Sequence, residues 1–314
     1  MDLFTHFLVP YIILYALKSK NKLAGAFGGI SPDFDTIFVA WIGILSPNLY
    51  IFSHRGITHS FIFGFVTSTI FLYVISRKQV NEFISNLIKR DISVKFTKTT
   101  VAIAYFGVLT HLFLDYLTSL GIPLFFPFSI TRYAAEIYQS LDLLTLILAA
   151  IVMIILYMKL NKNYKKAAMA IFMIILISFG GIRGYEKLNV LEIETPTLNG
   201  NYSQLSVYPT NDMFAWNVVK RNSQNSSYIV SKYNTWSNQE SNINVFNTPS
   251  VENGSYSSAQ NAINIANTFP AVKQFKWNSY YTLIDANYNS TKWDITYYDI
   301  LNSYTKNNIT VSVH

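Results

Sequence analysis

Residues 99–120 read TTVAIAYFGVLTHLFLDYLTSL, an apolar run that holds one histidine and one aspartate. About 17–25 residues of helix cross a bilayer, so this run is long enough to span one. His111 and Asp115 are four residues apart and share one face of that helix, where both can reach a single ion. Ionisable groups within a span are costly unless they are paired or functional. The run predicts a membrane helix that carries either a metal-ligand pair or a neutral histidine hydrogen-bonded to a buried carboxylate.

Other apolar runs surround this one. Three of similar length lie at residues 59–76, 141–158 and 167–183. Shorter ones lie at residues 3–17, 23–30 and 36–52, and Gly and Pro interrupt the last two. Interrupted backbone is tolerated at membrane depth only where protein or a wet cavity satisfies it, so these two are interpreted as re-entrant or interfacial. We expect an α-helical integral membrane bundle of about four full spans with short or re-entrant helices.

The net charge of +7 belongs to this apolar half of the 314-residue chain. Residues 1–183 hold 16 Lys and Arg against 8 Asp and Glu, whereas residues 184–314 hold 8 against 9. Thirteen of the 16 fall in three loops, at 18–22, 77–98 and 159–166, that an alternating topology places on one side. This is the pattern of cytoplasmic topology signals and not of a nucleic-acid surface. It predicts a multi-pass protein of the cell membrane, with lipid and no nucleic acid as a partner, whose C-terminal part is extracytoplasmic.

The composition changes near residue 199. The following segment holds short stretches rich in Tyr, Val, Ile, Thr and Trp: LSVYP, FAWNVVKR, SYIVSKY, INVF, YYTLI, KWDITYYDI and ITVSV. Clusters of Asn, Ser and Gly separate them, which is typical of an antiparallel β domain. We therefore predict a membrane-embedded helical domain at 1–190, a linker at 191–200 and an extracytoplasmic antiparallel β domain at 201–314.

Further ionisable residues of the helical half lie in short polar motifs. His6 lies at the start of the first apolar run, and the motif I-S-P-D-F-D contains Asp33 and Asp35. The motif S-H-R-G-I-T-H-S contains His54 and His59 on either side of a glycine turn. The predicted topology allows all of them to gather with His111 and Asp115 at the extracytoplasmic end of the bundle.

Each motif also has a purely structural interpretation. The aspartates after Pro32 can cap a short helix, Thr58 can cap the next one, and paired interfacial histidines are often structural. Asp142 at the start of a span can stabilise the helix N-terminus. Arg55 and Arg132 can bind a substrate phosphate or anchor a lipid headgroup. The sequence does not decide whether Arg132 and Asp142 belong to the site.

The chain contains no cysteine, so a metal must be held by nitrogen and oxygen. Imidazoles with carboxylates suit Zn²⁺, and also Mn²⁺ or Fe²⁺. We predict one or two divalent ions, most simply Zn²⁺. The predicted ligands are His6, Asp33, His54, His59, His111 and Asp115, and the predicted catalytic residues are Asp35, which would orient a water, and Arg55, which would stabilise an anionic transition state.

Four segments resemble the YdjM family of membrane-bound metal-dependent hydrolases: T-H-F-L at 5–8, I-S-P-D-F-D at 30–35, H-R-G-I-T-H-S at 54–60 and H-L-F-L-D-Y-L-T-S-L-G-I-P-L-F-F-P-F at 111–128. The stretches Y-P-T-N-D-M-F-A-W-N-V-V-K and Y-Y-D-I also resemble a domain often appended in that family. More distantly, the order of motifs is similar to zinc-dependent phospholipases C and P1-type nucleases.

That distant similarity implies His6, Asp33 or Asp35, His59 or His54, His111 and Asp115 as ligands. A second H-x-x-x-D and an N-terminal Trp of those enzymes are missing here, which favours one or two ions over three. We expect a membrane-bound metal-dependent hydrolase of an ester or phosphoester, with a lipid or lipid-linked substrate favoured by a site at bilayer depth. The alternatives are a non-catalytic membrane protein with a structural His/Asp metal site and a partner-binding β domain, or a transporter.

Overall fold

The computed structural model describes residues 1–198, 202–222, 227–301 and 308–314. These residues form two compact units. The first consists of Met1–Ile44 and Ile51–Gly184, and the second of Leu45–Tyr50 and Tyr185–His314. The predicted linker at 191–200 begins in the last turn of a helix that ends at Glu194, and residues 199 and 200 lie outside the described part of the chain.

The first two-thirds of the chain is helical. Its helices are α1 (Leu3–Ala16), α2 (Lys22–Ile30), α3 (Asp35–Phe38), α4 (Ala40–Leu45), α5 (Phe61–Ile75), α6 (Lys78–Ile88), α7 (Lys98–Tyr116), α8 (Leu143–Tyr157) and α9 (Lys162–Glu194). Short 3-10 turns lie at Ser31–Phe34, Pro47–Phe52, Ile57–His59 and Thr195–Thr197.

Two of these helices, α7 and α9, are long and apolar enough to cross a membrane. Helices α5 and α6 add a third if they form one span, although the chain bends by 80° between them. The four full spans predicted from the sequence are therefore not supported. The physical reason is helix length: α5 and α8 have 15 residues each, which is about 22 Å of helix, against a hydrocarbon core of about 30 Å.

Close backbone contacts hold α1, α2 and α7 together. A Cβ atom at Gly28 would overlap the carbonyl group of Ala104, and one at Gly107 would overlap the carbonyl oxygen of Gly25. A Cβ atom at Gly29 would overlap the carbonyl oxygen of His6. Small residues let apolar helices approach to backbone contact, as they do in membrane bundles. This approach places His6 of α1 beside the α2–α7 pair.

The second unit contains two four-stranded sheets. The first has β1 (Gln204–Pro209), β2 (Ala215–Asn222), β3 (Ser227–Asn234) and β4 (Gln239–Asn247) in sequence order, all antiparallel. The second has β5 (Ser250–Glu252), β6 (Thr282–Tyr288), β7 (Trp293–Asp299) and β8 (Asn308–Val313). Here β5 and β6 are parallel and the other pairs are antiparallel.

Each of the seven predicted stretches contains a strand, which confirms the antiparallel β domain in its main features. The short β5 and two helices, α10 (Tyr256–Ala266) and α11 (Pro270–Asn278), were not predicted from the sequence. The signal for α10 was present. Ser255 caps it, and Ala259, Ala262, Ile263 and Ala266 are buried at helical spacing against the second sheet.

Candidate metal centre

All eight predicted site residues lie close together in the first unit. Helix α7 carries His111 and Asp115, and α1 carries His6. The remaining residues lie on the turn at Ser31–Phe34, at the start of α3 and on the loop and 3-10 turn before α5, and they are Asp33, Asp35, His54, Arg55 and His59. Their roles as ligands or catalysts stay predictions, but their convergence is a property of the fold.

The ligand atoms of Asp33, His59, His111 and Asp115 lie within 4.8 Å of one another, and we call these residues the inner group. The Nε2 atoms of His59 and His111 are each 3.5 Å from Oδ2 of Asp115. The same nitrogens are 3.4 and 3.7 Å from Oδ1 of Asp33. Two imidazole nitrogens and two carboxylates thus face one point, which is the donor set of a divalent ion.

His6 completes the wall of the inner group. Its ring stacks on His111 with the centroids 3.7 Å apart, and its Nε2 lies 3.3 Å from Oδ1 of Asp115. The side chain is fully buried. His6 is therefore adjacent to the inner group and within reach of the same ion.

A second cluster, the outer group, consists of Asp35, His54 and His59. The His54 Nδ1–H donates to Oδ1 of Asp35 at 2.8 Å, and the Thr58 hydroxyl donates to Oδ2 of Asp35 at 2.7 Å. Both oxygens of this buried carboxylate therefore already have partners. The predicted capping role of Thr58 is wrong, because Ser60 caps α5 by accepting from the Phe63 N–H. The contacts of Thr58 with both Asp35 and His59 could not be predicted from the local sequence.

The hydrogen bonds of two histidines determine which ring nitrogen is bare. His111 Nδ1 lies 2.6 Å from the carbonyl oxygen of Gly29, so this nitrogen carries the proton. Because the Thr58 hydroxyl proton is used on Asp35, the Thr58 oxygen accepts from His59 Nδ1 at 3.0 Å. Both histidines thus present an unprotonated Nε2 to the inner group. Such outward hydrogen bonds orient imidazoles as metal ligands.

The inward atoms have no other partner among the described residues. Buried atoms without a hydrogen bond include Nε2 of His59 and His111, Oδ2 of Asp115 and both ring nitrogens of His6. Leaving a buried polar atom unsatisfied costs about 1–3 kcal/mol. Several such atoms at one point fit a bound cation, because an ion would satisfy them together.

Arg55 lies against the inner group. Its Nη2 donates to Oδ1 of Asp115 at 3.0 Å, and its Nη1 donates to Thr118 Oγ1 at 3.1 Å. The Met1 amino group donates to the same Asp115 oxygen. These cations occupy Oδ1 and leave Oδ2 of Asp115 turned toward the histidines.

The two residues left open by the sequence lie outside this cluster. Arg132 donates through Nη2 to the backbone oxygen of Arg55 at 3.4 Å and so supports the loop. Asp142 accepts from the Thr145 N–H at 2.9 Å and caps α8. For Asp142 the capping interpretation is the one that the contacts support.

An open cleft of about 290 Å³ gives access to the cluster. Its lining consists of Met1, Leu3, Asp33, Phe34, Thr36, Ile37 and His54. Asp33 is 15% exposed and His54 is 42% exposed, whereas His59, His111 and Asp115 are fully buried. Asp33 therefore connects the inner group with the cleft.

A comparison with protein families supports the resemblance described above. The family model for the YdjM inner membrane protein matches residues 1–187, which covers the whole metal centre. No curated protein and no solved structure matches the chain significantly, and the distant similarity to phospholipases C and P1-type nucleases is unconfirmed. The family supports the predicted membrane localisation. This chain belongs to the YdjM inner membrane protein family.

Proposed function

We propose that this protein is a membrane-bound metal-dependent hydrolase that cleaves an ester or phosphoester bond. One observation carries the proposal: imidazole nitrogens and the Asp115 Oδ2 atom, which have no hydrogen-bond partner among the described residues, converge with Asp33 beside an open cleft. The reaction adds the hydroxyl of water to the acyl or phosphoryl group, breaks the C–O or P–O bond and returns the proton to the leaving alcohol.

The inner group would hold the ion, with His6 as an additional ligand. The set of nitrogen and oxygen donors suits Zn²⁺. A bound ion supplies a Lewis acid that activates water and offsets negative charge as the ester is cleaved. A single ion is favoured, because the Asp35 oxygens of the outer group already accept hydrogen bonds from His54 and Thr58.

The contacts favour roles for Asp35 and His54 that differ from those predicted from the sequence. Asp35 is buried and does not line the cleft, so it is poorly placed to orient a water directly. It instead fixes the ring of His54, which lines the cleft. In the proposed reaction His54 accepts a proton from water at Nε2, and Asp35 positions it. Arg55 positions Asp115 by occupying its Oδ1.

Metal analysis tests the proposal. Protein purified in detergent should contain one equivalent of metal, and His111→Ala and Asp33→Asn should each lose most of it together with hydrolysis of p-nitrophenyl esters or phosphodiesters. Matched controls are His314→Ala and Asp91→Asn, since both residues are exposed and lie outside the cluster. A folded wild type that takes up no Zn²⁺, Mn²⁺ or Fe²⁺ would overturn the proposal.

A structural metal is the second candidate. The inner group and His6 together join α1, α7 and the 3-10 turns at Ser31–Phe34 and Ile57–His59, and most of their side chains are fully buried. Such a site can stabilise a fold without catalysis. Chelation discriminates between the two functions: loss of activity with little change in the melting temperature supports the hydrolase, whereas a large fall in melting temperature in a protein without hydrolytic activity supports the structural role.

We also propose the multi-pass topology with residues 201–314 outside the cytoplasm. It is supported by the basic loops and by the membrane family of the chain. Because the chain has no cysteine, Ser250→Cys gives a single thiol on the β domain. An impermeant maleimide should label this thiol from outside intact cells. Labelling only after the cells are opened would reverse the orientation.

A further inference from the structure

The cleft beside the metal centre is lined by both polar and apolar residues. Its polar lining consists of Asp33, Thr36 and His54, and its apolar lining consists of Met1, Leu3, Phe34 and Ile37. A site for a small hydrophilic ester does not need the second set. The lining suits a molecule with one polar and one hydrocarbon part.

Exposed apolar residues follow the cleft residue Ile37 in the sequence. Ile37 is 57% exposed, and exposed Phe38, Trp41 and Ile42 follow it on α3 and α4. We call these four residues the α3–α4 ridge. Within them, four large apolar side chains in six residues are open to the surroundings of the protein. Such continuous exposure marks a surface for lipid or for an apolar ligand, and tryptophan is enriched where membrane meets water.

The ridge and the metal centre are joined by one short segment. Asp33 of the inner group, Phe34 and Ile37 of the cleft, and Phe38 of the ridge lie within six residues of sequence, in one 3-10 turn and the following α3. A polar group at Asp33 and a hydrocarbon chain at Ile37 can therefore belong to one bound molecule.

We propose that the substrate is an amphiphile, an ester or phosphoester with a long hydrocarbon chain that leaves the cleft along the α3–α4 ridge. This inference rests on the hydrolase proposed above and adds the substrate class. The scissile bond of the substrate lies at Asp33 and His54, and its hydrocarbon chain lies on Leu3, Ile37 and the ridge. Since the hydrocarbon chain lies on an exposed surface of the protein, the substrate enters the cleft laterally from the bilayer.

Chain-length dependence of hydrolysis is the first test. The probes are p-nitrophenyl butyrate against p-nitrophenyl laurate, and p-nitrophenyl ethyl phosphate against p-nitrophenyl dodecyl phosphate, at one fixed detergent concentration. Each methylene removed from water contributes about 0.8 kcal/mol, or about four-fold. Even partial burial of the chain should raise kcat/KM by roughly ten-fold or more for the long substrate.

The variant Ile37→Ser should reduce this ratio of long- to short-chain kcat/KM at least three-fold. The matched control is Ile154→Ser on α8. Ile154 is 60% exposed, does not line the cleft and is distant in sequence from the residues that do. It should keep the wild-type ratio. Equal hydrolysis of short and long substrates would overturn the inference while leaving the hydrolase in place.

A binding experiment keeps the inference testable if no substrate is turned over. A dodecylphosphonate with a diazirine at the chain end should crosslink to residues 37–42, and unlabelled dodecylphosphonate should compete where methylphosphonate does not. Crosslinks spread evenly over lipid-facing helices, without competition, would contradict an amphiphile site. Saturable crosslinking without any hydrolysis would support the amphiphile site and would contradict only the proposed hydrolase activity.

Discussion

The two units of the chain differ in whether their buried polar groups have hydrogen-bond partners. In the second unit, Glu186 of α9 accepts from Trp216 Nε1 at 3.4 Å and from Thr235 Oγ1 at 3.0 Å, and Lys220 of β2 lies 2.7 Å from Glu194 of α9. In the helical unit, the inward nitrogens of His59 and His111 have no hydrogen-bond partner in the described part of the chain. Buried polar groups with hydrogen-bond partners stabilise a fold, whereas a cluster of buried nitrogen and oxygen atoms without such partners could hold a cation.

Removing the carboxylate charge of Asp115 should give the largest effect on this contrast. Asp115→Asn removes the charge of a predicted metal ligand in the inner group and the anionic partner of buried Arg55. We expect loss of bound metal and a fall of about 3–5 kcal/mol in the free energy of unfolding, because a buried cation is left without its counterion. Metal content and denaturant titration in detergent measure the two effects.

Glu186→Gln, on the part of α9 that belongs to the second unit, is the matched control for Asp115→Asn. Its partners are neutral donors, so the amide oxygen can keep one hydrogen bond, and we expect a loss of about 1 kcal/mol. The metal content should not change. Equal metal loss in both variants would mean that the carboxylates act on the fold and not on the ion.

The ion pair of Lys220 tests the β domain in the same way. Lys220→Met removes its buried contact with Glu194 and should lower the free energy of unfolding by about 3 kcal/mol with full metal retention. Lys292→Met is the control, because Lys292 and Asp294, 3.3 Å apart, are both partly exposed and the loss of this pair should not be measurable. Loss of metal from the Lys220→Met protein would show that the metal centre depends on the buried ion pair of Lys220.

A smaller effect is expected at Thr58, which satisfies Asp35 and orients His59. Thr58→Val should weaken metal binding or activity by about ten- to a hundred-fold, as loss of a hydrogen-bond partner of a ligand does. Thr67→Val is the control, since its hydroxyl donates only to Phe63 O in its own helix. Indistinguishable zinc affinities in the two variants, together with equal activity, would remove Thr58 from the centre.

The smallest effect concerns the pH dependence of the β domain. Burial raises the pKa of Asp299 above its usual value of 3.8, although it accepts hydrogen bonds from the backbone of Tyr280, Tyr281 and Leu301. A raised carboxyl pKa favours the protonated folded state, so this contribution is present at low pH and is lost as pH rises through the folded-state pKa. Asp299→Asn should flatten the pH dependence of the melting temperature in the acidic range. An unchanged slope would exclude Asp299 as its source.

Much of the architecture could be predicted from local patterns. The apolar run at 99–120 became α7, and the seven β-rich stretches became strands, since side-chain periodicity reports burial directly. The number of full spans could not be predicted, because apolar composition does not show where a helix ends or bends. Helices α10 and α11 were missed because the Asn- and Ser-rich composition around them was interpreted as loop between strands.

The sequence by itself determined the types of candidate ligand, their grouping into motifs and the pairing of His111 with Asp115, because a spacing of four places two residues on one helix face. Tertiary structure alone decided that His6 and His59 lie beside that pair and that the Asp35 carboxylate accepts hydrogen bonds from His54 and Thr58. These contacts bring together segments up to about a hundred residues apart. They depend on the close approach of α1, α2 and α7 at their glycines, which no local pattern specifies.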